Sequence, residues 1–153
     1  MIRHLQEIRA DGKVIDETMD FDAMSALGWA PCRVTALRWE HDGRPVDLHY
    51  ESGVTVRRLR GGRFLAALVR SADDASGPRL CVLDADGREH LDLPNTLNLA
   101  GRDEPGAYRW SEDAPAGGGN LFRVVFELAR NQAQFAIDVD AESGQVQRTL
   151  QMS

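Results

Sequence analysis

Residues 121–152 read LFRVVFELARNQAQFAIDVDAESGQVQRTLQM, and three strands joined by two turns are legible in them. Phe122, Val124, Phe126 and Leu128 alternate with Arg123, Val125 and Glu127. Phe135, Ile137 and Val139 alternate with Gln134, Ala136 and Asp138. After the DAESG turn, Val146, Leu150 and Met152 alternate with Gln147 and Thr149. A period of two sets one series of side chains on a core and the other toward water.

The same rhythm extends upstream. Val34 to Glu40, Val46 to Tyr50, Val54 to Leu59, Phe64 to Val69, Arg79 to Leu83 and Arg88 to Leu93 read as strands separated by HDGRP, ESG, GG, SADDASGP and DADG. Gly, Asp and Asn recur in these gaps because they tolerate the backbone angles of tight turns. Met1 to Arg9 and Lys13 to Met19 flank an Asp-Gly turn, a hairpin signal, although Ile2, Leu5 and Ile8 also fit a helical spacing. Asp20 or Asp22 is placed to cap a short helix running to Leu27, ended by Gly28. Pro94 to Gly106 and Ala114 to Asn120 break the rhythm and read as long polar loops, the first places to seek a partner surface. The expected fold is one mostly antiparallel β domain spanning 1–153, with about eight to ten strands and one short N-terminal helix. Sandwich, barrel and curved meander remain open.

At 153 residues, with 42% hydrophobic and 27% charged content, the chain suits a globular domain and not a disordered one. Its longest apolar run, Phe64 to Val69, is too short to cross a membrane. MIRHLQEIRADGK lacks the apolar stretch of a secretory signal, so a cytoplasmic location is expected. Cys32 and Cys81 lack a second ligand at metal-binding spacing and read as buried free thiols. A net charge of −6 argues against nucleic acid and suits a basic protein partner.

No catalytic motif stands out. There is no GxSxG elbow, no phosphate-binding glycine loop and no cofactor fingerprint. Asp138, Asp140 and Glu142 alternate like the start of a calcium loop, but Ser143 and Thr149 occupy the positions that need Gly and Glu, so an acidic turn is expected. Arg57, Arg58, Arg60, Arg63 and Arg70 surround a Gly-Gly turn and read as a solvated tip pairing with nearby acids. Tyr108 and Trp110, two apart on a strand, are expected to share a face.

The function these features favour is non-enzymatic: an inhibitor or bacterial immunity-type protein that covers a basic toxin or enzyme with carboxylates, using no cofactor and no metal. Asp73, Asp74, Asp103, Glu104, Glu112 and Asp113 are the candidate contacts, with Tyr108 and Trp110 as aromatic anchors. One alternative is a small-ligand barrel or small enzyme whose cavity gathers His49, Arg58, His90 and Tyr108. Another is a structural component that assembles through the strand edge Gln145 to Gln151.

Overall fold

A computed structural model describes residues 1–28, 33–72, 77–114 and 119–152. Thirteen strands and one helix run through them. The N-terminal sheet contains β1 (Arg3–Arg9), β2 (Val14–Asp16), β3 (Val34–His41) and β4 (Arg44–His49), in the order β2-β1-β3-β4. Between β2 and β3 lies α1 (Phe21–Ala26). The central sheet contains β5 (Val54–Arg58), β6 (Phe64–Val69), β7 (Arg79–Asp84) and β8 (Glu89–Asp92), paired in chain order. The C-terminal sheet contains β9 (Thr96–Leu99), β10 (Arg102–Glu112), β11 (Leu121–Leu128), β12 (Gln134–Asp140) and β13 (Val146–Gln151), also paired in chain order. Every pairing is antiparallel.

The central sheet is buried on both faces. Phe64, Ala66, Leu68, Leu80 and Val82 pack against Phe122, Val124, Phe126, Ile137 and Val139 of the C-terminal sheet. Leu65, Ala67, Cys81 and Leu83 pack against Ile2, Leu5, Leu37 and Trp39 of the N-terminal sheet. This explains why FLAALV is apolar without alternation: a strand covered on both sides has no wet face. Trp39 crosses the second core and donates its Nε1–H to the Ala85 carbonyl at 2.7 Å, so its one polar atom is satisfied.

The expected mostly antiparallel β fold is what forms, with more strands than the eight to ten expected. The Asp-Gly hairpin reading of the N-terminus holds: β1 pairs with β2, and the helical spacing of Ile2, Leu5 and Ile8 is not used. Asp20 caps α1 by accepting from the Ala23 amide at 2.8 Å, as read from the sequence.

Three expectations are corrected. Pro94 to Gly106 is not a long loop but the β9–β10 hairpin. Its turn is Ala100–Gly101, with φ of 51° and 84°, a conformation glycine takes freely and alanine seldom does. Tyr108 and Trp110 do not share a face. The register slips between them, so Tyr108 stands opposite Phe126 and Trp110 opposite Val125, adjacent residues that point to opposite sides. A second slip separates Val146, opposite the core residue Val139, from Arg148 and Leu150, opposite Asp138 and Ala136. Val146 and Leu150 therefore lie on different faces.

Burial leaves a titration signature. It pushes the Cys81 thiol from 9.0 to about 11 and the Tyr108 phenol from 10.0 to about 12. Well below pH 9 both groups hold their protons in either state, and stability is insensitive to them. Above it, the unfolded chain releases protons that the folded chain keeps. Stability is therefore expected to fall between pH 9 and 12, by up to about 1.4 kcal/mol per pH unit for each group. Urea midpoints at pH 8 and pH 10.5 check this; a midpoint that holds or rises refutes it.

Candidate protein-binding surfaces

The acids expected to meet a partner are dispersed. Asp73 and Asp74 lie outside the described residues. Asp103 and Glu104 open β10, whereas Glu112 ends it and Asp113 follows, about 30 Å away along an extended strand. Several already have partners. Glu104 pairs with Arg130 at 3.3 Å, Asp113 with Arg57 at 2.9 Å, and Glu112 accepts from Trp110 Nε1 at 2.8 Å. Asp103 accepts from Asn98 Nδ2 at 3.1 Å on the neighbouring strand.

Glu112 and Trp110 belong to a larger arrangement on the outer face of the C-terminal sheet. Trp110, Val125, Ala136 and Leu150 stand in register across β10 to β13 as an apolar row. Beside it runs Glu112, Arg123, Asp138 and Arg148, acid and base alternating from strand to strand. Cross-strand neighbours of opposite charge stabilise a sheet and like charges weaken it. At the centre of the row, Arg123 grips the buried Asp138 with Nε at 2.7 Å and Nη2 at 3.1 Å. That two-pronged contact raises the Arg123 pKa still further above its ordinary value. Glu127 closes the other side of the apolar row, bonded to Arg109 and to Gln134. The slip after Tyr108, invisible in the strand pattern, is what brings Trp110 to this face.

The second surface is α1 with the β1–β2 hairpin. The six-residue helix buries none of its side chains. Phe21 is 73% exposed and Met24 47%. With Ile15, Leu27 and Arg9 they line a groove of about 240 Å³. Residues 9–28 carry five carboxylates (Asp11, Asp16, Glu17, Asp20, Asp22) against Arg9 and Lys13, a local charge of −3 within a chain of −6. Asp11 is held below the usual carboxylate range by the Lys13 amide and then by Arg9, and Asp16 by the Thr18 hydroxyl and amide. Asp20 and Asp22 flank the exposed Phe21 in the chain, and an apolar side chain between two carboxylates is suited to dock on a basic surface with an apolar centre. The sequence pattern places the helix but does not report that Phe21 and Met24 on it stay exposed. The available signal was an aromatic between two aspartates at the head of a helix too short to cover it.

The residues of the barrel alternative do not converge. His49 is exposed on β4. Arg58 bonds Glu17 and the Ile2 carbonyl. His90 Nε2 lies 2.7 Å from the Glu142 carbonyl, its ring 4.9 Å from that of Phe64. Tyr108 alone points inward, donating to the Pro94 carbonyl at 2.7 Å. Three of the five arginines around the Gly-Gly turn pair with acids, Arg57 with Asp113, Arg58 with Glu17 and Arg63 with Glu142; no acid pairs with Arg60 or Arg70 among the described residues. In the calcium-like triplet, Asp138 belongs to Arg123, and Asp140 accepts the Glu142 amide at 2.9 Å. Among the described residues, no group of three or more His, Cys, Asp or Glu is placed to hold a metal ion. Cys81 is a buried free thiol; Cys32 lies outside the described residues. No described helix is long and apolar enough to cross a membrane.

The fold is that of a mostly antiparallel β protein of three sheets, the central one covered on both faces. No family model and no curated protein matches the chain. Among solved structures, a chain of the complex of Tne2 with Tni2 is similar to it over the full length of both chains, at 33% identity and a TM-score of 0.90. At that likeness the protein belongs to the same family as that chain.

Proposed function

We propose that this chain is a non-enzymatic protein-binding module of inhibitor or immunity type, which neutralises a basic toxin or enzyme by covering it with an acidic surface. The observation that carries this reading is the full-length likeness to a chain solved in a two-protein complex. The −6 net charge and the two aspartates that flank the exposed Phe21 support a basic partner. Phe21 is the anchor of that contact, and Asp20 and Asp22 supply its charged rim. Carboxylates around an apolar anchor speed encounter and set orientation, while the anchor slows release.

The test is a pull-down of the tagged protein from its own cell extract at low and moderate salt, read by mass spectrometry, followed by titration with the purified partner. The expected result is one stoichiometric basic partner, released as salt rises. Phe21→Ala is expected to weaken the purified complex about 30-fold, the effect of losing a central anchor. A chain that holds no protein at either salt refutes the binding reading. A complex indifferent to Phe21→Ala refutes α1 as its site.

A further inference from the structure

The sheet edges of this protein are unequal. β2 has three residues, β8 and β9 have four each, β5 has five, and β4 carries Pro45. Short strands and proline are the usual protection against unwanted pairing. β13 has neither. It runs for six residues, Val146–Gln151, all exposed, at the outer edge of the C-terminal sheet.

Its backbone is oriented to receive another strand. The Met152 amide donates to the Gln134 carbonyl at 2.9 Å. By the period of two, Leu150 and Arg148 also turn their backbone groups toward β12, and Thr149 and Gln151 turn theirs to the open side. The side chains state what would fit. The row Glu112, Arg123, Asp138, Arg148 alternates in sign and stops on a base that forms no ion pair among the described residues. The apolar row beside it stops at Leu150, 37% exposed.

We propose that β13 accepts an added antiparallel strand from a partner protein, and that this strand sets a carboxylate opposite Arg148 and an apolar side chain opposite Leu150. In the partner's sequence the two are two residues apart, the apolar residue first. Main-chain bonds at Thr149 and Gln151 supply affinity, and the continued rows supply selectivity. The inference does not rest on the neutralisation reading, because α1 belongs to the N-terminal sheet across the molecule.

The test uses the full chain and two synthetic twelve-residue peptides of alternating pattern, alike except for Glu or Lys at the position meeting Arg148. Amide hydrogen exchange followed by NMR reads the site directly. The Glu peptide is expected to slow exchange at Thr149 and Gln151 and to leave Leu150, already bonded within the sheet, unchanged. It is expected to bind about fivefold more tightly than the Lys peptide, an opposite-charge pair replacing a like-charge one. Arg148→Glu is expected to reverse that preference. The proposal is overturned if neither peptide slows the two amides, or if affinities are equal and insensitive to Arg148→Glu. Protection that grows with protein concentration in the absence of peptide overturns it too, in favour of a second copy at the edge.

Discussion

Gly106→Ala is expected to destabilise the fold by about 3 kcal/mol or more, the largest effect of a methyl group added at any of the described glycines. Residue 106 lies where β10 leaves β9 and takes up β11: Arg102 to Pro105 pair with β9, and Gly106 onward with β11. The two backbones approach so closely there that an added Cβ would meet ring atoms of Phe126 at 2.6 and 2.8 Å, and the Glu127 carbonyl oxygen closer still. Neither obstacle can yield. Phe126 is fully buried and packs edge-on against Tyr108 at 5.1 Å, and Glu127 belongs to the β11 ladder. Gly101→Ala is the matched control. Gly101 has a φ of 84° with nothing within 4 Å of an added Cβ, so only backbone strain of about 1 kcal/mol is expected. Urea denaturation of both variants decides. A Gly106→Ala protein no weaker than Gly101→Ala would show that β10 can slide away from β11.

The second large effect is expected from Arg123→Met. This removes the guanidinium and leaves Asp138, 4% exposed, without its hydrogen-bonded partner and with only Arg148 across the strand to offset its charge, at a cost of about 3 kcal/mol. The reverse change, Asp138→Leu, is expected to cost less. The Arg123 head is partly open to water and has Glu112 beside it, so it does not become a stranded charge. The double variant, with both replaced, is expected to recover most of the loss, because a buried ion pair and an apolar pair of similar volume are close in stability. A double-mutant cycle measures this. Losses that simply add would mean that Arg123 and Asp138 act separately and that the row across β10 to β13 carries no coupling.

How much of this was legible in the sequence depends on local chemistry. Strands bounded by Asp-Gly or Glu-Ser-Gly turns were readable because those residues advertise their turns: β3–β4 and β12–β13 formed where expected. The β9–β10 hairpin was hidden because Ala100 replaces the usual Asp or Asn, and because Pro105–Gly106 looks like a break in a strand. In the fold that break marks a change of neighbour, where a missing amide and a missing side chain are both tolerated. The two surfaces were less legible still. Which acids are free depends on pairs such as Glu104–Arg130 and Asp113–Arg57, separated by 26 and 56 positions along the chain. The face of Trp110 depends on one extra residue in β10, and no periodicity reports it.

The doubly covered central sheet also has a consequence for synthesis. The strands are made in order, so β6 and β7 leave the ribosome before β11 and β12, whose side chains will cover one of their faces. During that interval Phe64, Ala66, Leu68, Leu80 and Val82 form an uncovered apolar plate, with the N-terminal sheet already available to shield the reverse side. Nascent chains are prone to aggregate at such plates. A chain interrupted before residue 121 would keep this one for good, so quality control in the cell has a clear mark by which to tell an unfinished copy from a finished one.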